Sequence, residues 1–199
     1  MRKKSHISLA KFLMENIEVK DLIEHKKAFY IGSILPDLKP SFLTRRHTIE
    51  ETFHILIREI KKITVDYDVN KGIGSYYARR LGVITHYLAD YCTYPHNSIF
   101  SGTITDHVYY EKELKHSLRE YVKSETAIPN REESQSLETF EEIIRFIIIT
   151  HKKYLKAIKE VKEDIRYIVD LCFKVIDAII QLFRMAFHQV SLTKSSVLI

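Results

Sequence analysis

Two histidine–carboxylate pairs at helical spacing, His86-x-x-x-Asp90 and His107-x-x-x-Glu111, occur in one stretch of the chain, with His96 between them. Residues four apart on a helix lie one above the other on one face, so each pair can aim an imidazole nitrogen and a carboxylate oxygen at one ion. Zinc accepts that mixture of donors at about 2.0–2.2 Å and prefers four of them. At about 100° per residue, His107 and Glu111 share a stripe with Leu114, Leu118 and Tyr121. A carboxylate on a core-facing stripe is costly unless it is paired or ligates a metal, the alternative being a frayed first turn from which Glu111 reaches water. The first pair is weaker on the same test. Tyr77, Leu81, Ile84, Leu88 and Tyr91 make one apolar stripe, and His86 and Asp90 lie nearly opposite it beside Arg79 and Thr93, where a solvent face is expected. Ala78, Gly82 and Ala89 are small, however, which suits close approach of a second helix.

The elements that carry these residues are expected to be helices throughout, because five glycines and four prolines punctuate long runs of Ile, Leu, Lys and Glu. Ser5 reads as the N-cap of a helix to about Ile17, with His6 on an inward stripe beside Ala10, Leu13 and Ile17. A second helix covers about Val19 to Ser33 and stops ahead of Pro36, leaving Asp37 in a turn, a common use of that residue type. Residues 45–63 are amphipathic, with Ile49, Phe53, Leu56, Ile57 and Ile60 on one side. His47 falls off that stripe with Glu51 and His54, so a surface position is expected. After a loop at 64–75, a helix over 76–94 carries the first pair and ends at Pro95. A second loop at 97–105 precedes the His107 helix, which runs to about Val122. Asn130 and Glu133 have capping-box spacing and open a C-terminal region, about 131–192, of two or three helices. There Lys174, Asp177, Gln181 and Arg184 form a narrow polar stripe on an otherwise apolar helix, and no stretch is long enough to span a bilayer. His25, His116, His151 and His188 have no evident chemical partner and read as structural.

A chain of 199 residues suits a single helical domain, 1–199, with a metal-binding half at about 5–122 and a C-terminal half at about 131–192. Apolar residues at 45% and charged residues at 29% exclude general disorder. Cys92 and Cys172 form no C-x-x-C pair, so they read as small buried residues rather than a disulfide or a metal site. The net charge of +5 is compatible with a phosphate-bearing partner, but no base-reading motif accompanies it. Met1-Arg-Lys-Lys starts like a signal peptide, yet His6, Lys11 and Glu15 break the segment that follows. No secretion signal is read, and a cytoplasmic location is expected.

The succession His6, Asp37, His47, His86-x-x-x-Asp90, His96, His107-x-x-x-Glu111, with the phrases GSILPDL, LGVITHYLADYCTYPHN and HVYYE, resembles the zinc-dependent phospholipase C family over about residues 5 to 111. Zinc-dependent single-strand nucleases of the same fold share much of that arrangement. The resemblance implies an all-α, single-domain multi-helix bundle with two or three zinc ions in a cleft. Asp37, His47, His86 and Asp90 would hold the first ion. Asp90 would bridge to another bound by His6, and His96, His107 and Glu111 would hold the remaining one. It further implies phosphodiester hydrolysis, with clustered zinc ions binding the phosphate and lowering the pKa of a bound water towards about 7. Asp37 would be the catalytic residue that orients or deprotonates that water. The implied substrate is a phospholipid headgroup or a nucleotide, with peripheral membrane contact through exposed loops and no protein partner. Phe42, Tyr87, Tyr91 and Tyr94 are candidate headgroup contacts, against the commoner use of helical aromatics in a core. Secreted members complete one zinc site with the amine and carbonyl of an N-terminal tryptophan. This chain has no Trp, which leaves Ser5, water or nothing for that role. The Asp37–His47 and His96–His107 intervals are also short for secreted members, implying trimmed cleft loops. Two other functions stay open: a nuclease or small phosphoester hydrolase on the same site, and a non-catalytic metal-stabilised helical binding protein.

Overall fold

Helix α5 (Ser75–Tyr91) runs through the middle of the fold, and from Leu81 to Tyr91 every one of its residues is buried. The computed structural model describes residues 1–38, 46–124 and 137–196. Around α5 stand α1 (Lys3–Asn16), α2 (Lys20–Glu24), α3 (Lys26–Ile34), α4 (Ile49–Lys61), α6 (Ile104–Tyr121), α7 (Phe140–Lys156) and α8 (Val161–Ser196). No strand occurs among the described residues, so the all-α expectation holds. Nor is any described helix long and apolar enough to cross a membrane.

The solvent face expected for His86 and Asp90 does not exist. A helical wheel identifies such a face only when one side of the helix is left uncovered. Here α1, α3, α4 and α8 all pack on α5. The closest approach is between α3 and α5, and two glycines permit it. A Cβ on Gly82 would fall 2.2 Å from the Phe29 carbonyl oxygen, and one on Gly32 would fall 2.1 Å from that of Arg79. Backbone therefore lies against backbone, and the end of α3 is brought onto the His86 side of α5.

Helix boundaries follow capping chemistry more closely than periodicity. Thr48 caps α4 by accepting from the Glu51 amide. Thr103 with Asp106 and Thr139 with Glu142 form reciprocal capping boxes that open α6 and α7. Helix α1 begins at Lys3, so Ser5 is buried inside its first turn instead of capping it. The helix expected over 19–33 breaks at His25, whose backbone (φ −102°, ψ 19°) leaves helical geometry between α2 and α3. Helix α5 ends at Tyr91, and the chain passes through Cys92 and Thr93 into a 3₁₀ turn, Tyr94–His96. Among the described residues the C-terminal region supplies two helices, and α8 packs on α5, α6 and α7. Its Gln181 and Arg184 are exposed while Ile179, Ile180 and Phe183 are buried, as the polar stripe implied. Asn130, Glu133 and Phe42 lie outside the described residues. Cys92 and Cys172 are free and buried, and burial pushes both thiols up from their usual range.

Candidate metal centre

One turn apart on α5, His86 and Asp90 form the floor of a cluster that gathers side chains from five other segments. The two carboxylate oxygens of Asp90 face different groups. Its Oδ2 lies 3.0 Å from His47 Nδ1 and 3.2 Å from His86 Nε2, and those two nitrogens are 2.9 Å apart. Its Oδ1 lies 3.4 Å from His6 Nε2, 3.6 Å from His96 Nδ1 and 2.8 Å from the Met1 amine. His86 Nδ1 donates to the Ser33 carbonyl at 2.9 Å. A carbonyl can only accept, so this bond leaves the lone pair of a neutral His86 on Nε2, aimed into the cluster. The bond exists because the Gly32–Gly82 contact holds the end of α3 against α5. His6, from α1, stacks on His86 with ring centroids 4.0 Å apart. Asp37, from the 3₁₀ turn Pro36–Leu38, places Oδ1 3.6 Å from His86 Nε2 and 3.7 Å from His47 Nδ1.

The outer half is more open. His107 and Glu111 sit one turn apart at the start of α6 with Nε2 and Oε1 separated by 3.5 Å, and His96 Nε2 lies 3.9 Å from the same oxygen. Their side chains are 37% and 18% exposed, against 0% for His86. The Met1 amine reaches this half too, 2.9 Å from His96 Nε2 and 3.4 Å from Glu111 Oε1. A cavity of about 430 Å³ opens beside it, walled by Asp37, Glu111, Met1 and four basic side chains.

All eight residues singled out in the sequence meet here. Ligand atoms of three groups, His6–Asp37–His86, His47–His86–Asp90 and His96–His107–Glu111, each lie within 4.8 Å of one another. His47, expected at the surface, is only 7% exposed. It precedes the first residue of α4, so the α4 stripe says nothing about where it points. Tyr91 is fully buried with its hydroxyl 3.1 Å from Thr52 Oγ1, which removes it from the headgroup contacts. Tyr87 packs edge-on against His47 and His86, and Tyr94 packs against Phe100 and Tyr110.

Burial alone would raise Asp90. The Met1 ammonium and the imidazoles of His96, His86 and His6 outweigh it and hold the carboxyl well below its usual range. Glu111 is likewise raised by burial but brought down to about 2, chiefly by its hydrogen bond with His96 and by the Met1 ammonium. Burial, helped by His86, lowers His6 to about 3, and burial with the Met1 ammonium lowers His96. Asp37 is pushed up by burial, with His86 opposing.

Two contributors have no counterpart among the motif residues. The Met1 amine is a backbone group, so no side-chain motif marks it. Asp164, on α8, is fully buried and accepts from the Tyr94 amide at 2.8 Å and from the Tyr110 hydroxyl. Tyr94 is two residues before His96, and Tyr110 directly precedes Glu111, so one carboxylate ties both outer segments to α8. Its signal in the sequence is a carboxylate set among Val161, Ile165 and Ile168 on an apolar stripe.

A family model for zinc dependent phospholipase C matches residues 5–161 of the chain. The chain belongs to the zinc-dependent phospholipase C family. The match runs past Glu111, where the resemblance was expected to stop, and takes in α7. No curated protein and no solved structure matches the chain. Membership of the zinc-dependent phospholipase C family implies zinc as cofactor and a phospholipid as substrate. The residues present fit that metal. Four ligands at about 2.0 Å from a tetrahedral centre stand roughly 3.3 Å from one another, and His47 and His86 lie 2.9 to 3.7 Å from each other, from Asp90 and from Asp37. Three buried imidazole nitrogens, both of His6 and Nδ1 of His96, make no hydrogen bond. An unsatisfied atom of this kind costs about 1–3 kcal/mol, and a cation taking the lone pair of His6 Nε2 beside Asp90 would offset it for that nitrogen.

Proposed function

We propose that this chain is a zinc-dependent hydrolase of phosphodiesters of the phospholipid type. The observation that carries the reading is the double-facing Asp90 carboxylate, with one oxygen toward His47 and His86 and the other toward His6 and His96. That arrangement supports Asp90 as a bridge between neighbouring ions. Asp37, His47, His86 and Asp90 would hold one zinc, His6 with Asp90 a second, and His96, His107 and Glu111 a third. Zinc, when bound, supplies Lewis acidity that offsets phosphate charge and acidifies water. The Ser33 carbonyl keeps the His86 lone pair on Nε2. Asp164 holds the His96 and Glu111 segments in register through Tyr94 and Tyr110. Asp37 lines the cavity and is raised by burial, which supports its oxygen as the acceptor of the proton from the attacking water.

Protein purified without chelators should carry zinc and hydrolyse a chromogenic phosphodiester and phospholipid vesicles. Asp37→Asn, assayed at saturating zinc with its metal content measured, should lose about 100-fold or more in turnover per bound metal. Full turnover in that variant removes Asp37 from the chemistry. Cleavage of single-stranded DNA without hydrolysis of phospholipid reassigns the site to a nuclease. Bound zinc with turnover on neither overturns the hydrolase reading in favour of a metal-stabilised binding protein.

A further inference from the structure

The walls of the cavity beside the cluster bear on which headgroup is taken, an inference that rests on the phosphodiesterase reading above. Glu111 and Asp37 are its acidic members, and both belong to the ligand-type cluster. The other described members are Met1 and four basic side chains: Arg2, Lys3 and Lys4 from the start of α1, and Lys115 from α6. Lys115 lies one turn beyond Glu111, on the stripe that carries His107 and Glu111, so α6 presents it on the same side as the outer ligands. Arg2 spans the two walls, donating to the Val108 carbonyl at 3.2 Å and lying 3.6 Å from Glu111. The first turn of α1 has no acidic residue and no side-chain cap, so its dipole adds positive potential at the same rim.

A quaternary ammonium headgroup calls for aromatic faces or carboxylates not otherwise engaged. None of the described residues lining the cavity is aromatic, and its two carboxylates are turned to the cluster. Four cations in a concave wall beside low-dielectric protein instead focus potential that attracts negative charge. We propose that the cavity receives a second anionic group of the substrate, so that the preferred substrates are phosphodiesters whose headgroup carries a further phosphate. Hydrolysis itself is unchanged: water gives its oxygen to phosphorus, the P–O bond to the lipid alcohol breaks, and that alcohol oxygen takes a proton.

The test uses zinc-loaded protein at about 0.15 M salt, where the Debye length is about 8 Å, with short-chain phospholipids below their micelle concentration. Headgroups of phosphocholine, phosphoinositol and phosphorylated phosphoinositol are compared by kcat/KM. The phosphorylated headgroup should exceed phosphocholine by about tenfold or more. Lys115→Gln and Lys4→Gln should each lower that ratio by about threefold, the scale of one partly screened charge pair. Equal or faster hydrolysis of phosphocholine overturns the proposal, as does a preference that both lysine variants retain. A preference seen on vesicles and absent with monomers overturns it too, since attraction to an anionic bilayer would then be the cause. If no headgroup is hydrolysed, the phosphodiesterase reading itself fails. The cavity is then decided separately by calorimetry, where inositol 1,4-bisphosphate should bind at least tenfold more tightly than phosphocholine, and equal binding overturns the assignment.

Discussion

Gly82→Ala probes the link between helix packing and the metal centre. The new Cβ would lie 2.2 Å from the Phe29 carbonyl oxygen, 2.8 Å from the Ser33 amide nitrogen and 2.9 Å from the Gly32 Cα. All three are backbone atoms, so no rotamer change relieves the clash, and α3 must retreat by roughly 1 Å to restore ordinary contact. Overpacking of this kind costs about 1–3 kcal/mol, and a backbone clash belongs at the upper end. Alanine returns about 1 kcal/mol through helix propensity. The net is a loss of about 2 kcal/mol, or a fall in Tm of about 4–8 °C for a chain of this size. A second consequence separates this from generic destabilisation. Retreat of α3 draws the Ser33 carbonyl away from His86 Nδ1, and loss of such an orienting bond typically costs about 10–100-fold in metal affinity. Thermal melts of the metal-free protein followed by circular dichroism, and zinc affinity by competition with a chromogenic chelator, read the two effects. A variant that melts within about 1 °C of the parent, against the 4–8 °C expected, and binds zinc equally well would refute the reasoning.

Asp164→Ala leaves the Tyr94 amide and Tyr110 hydroxyl without their acceptor, so it should destabilise by about 2–4 kcal/mol and lower zinc content per chain; Tyr110→Phe should show the zinc effect with a smaller stability loss. Unchanged zinc affinity in both variants would show that the tether does not reach the ligands. In metal-free protein, burial sets His6 at about 3 against 6.5 in the unfolded chain. The unfolded state therefore takes up more protons between those values, and stability present above pH 6.5 declines as pH falls. Glu111, at about 2 against 4.5, adds a loss of the same sign lower down. Urea unfolding between pH 7 and 4 checks this, and a flat profile contradicts it. Chelation should proceed in two phases, the partly exposed His96–His107–Glu111 group releasing its ion first and the buried His47–His86–Asp90 group later; a single phase would count against two classes of site.

Residues differed in how much of their role the sequence displayed, and the reason is physical. His107 and Glu111 were readable because one face of α6 is covered, so Leu114 and Leu118 mark the direction inward. Covered on all sides, α5 gives its wheel no outside to define, and His86 and Asp90 were recovered through motif order and through Gly82. His47 lies before the Thr48 cap, beyond the reach of periodicity. The break at His25 has no glycine or proline near it and left no local signal. Asp164 did leave one, a carboxylate on an apolar stripe, of the same kind that drew attention to Glu111.

The buried cysteines make this protein its own folding reporter. Cys92 stands one residue beyond α5, and Cys172 lies within α8 with its thiol 3.7 Å from the Thr85 carbonyl. Neither sulfur can meet an alkylating reagent until the α5–α8 layer parts. The rate of thiol modification, followed with and without zinc, therefore times the opening of the scaffold directly beneath the ligands, with no engineered label.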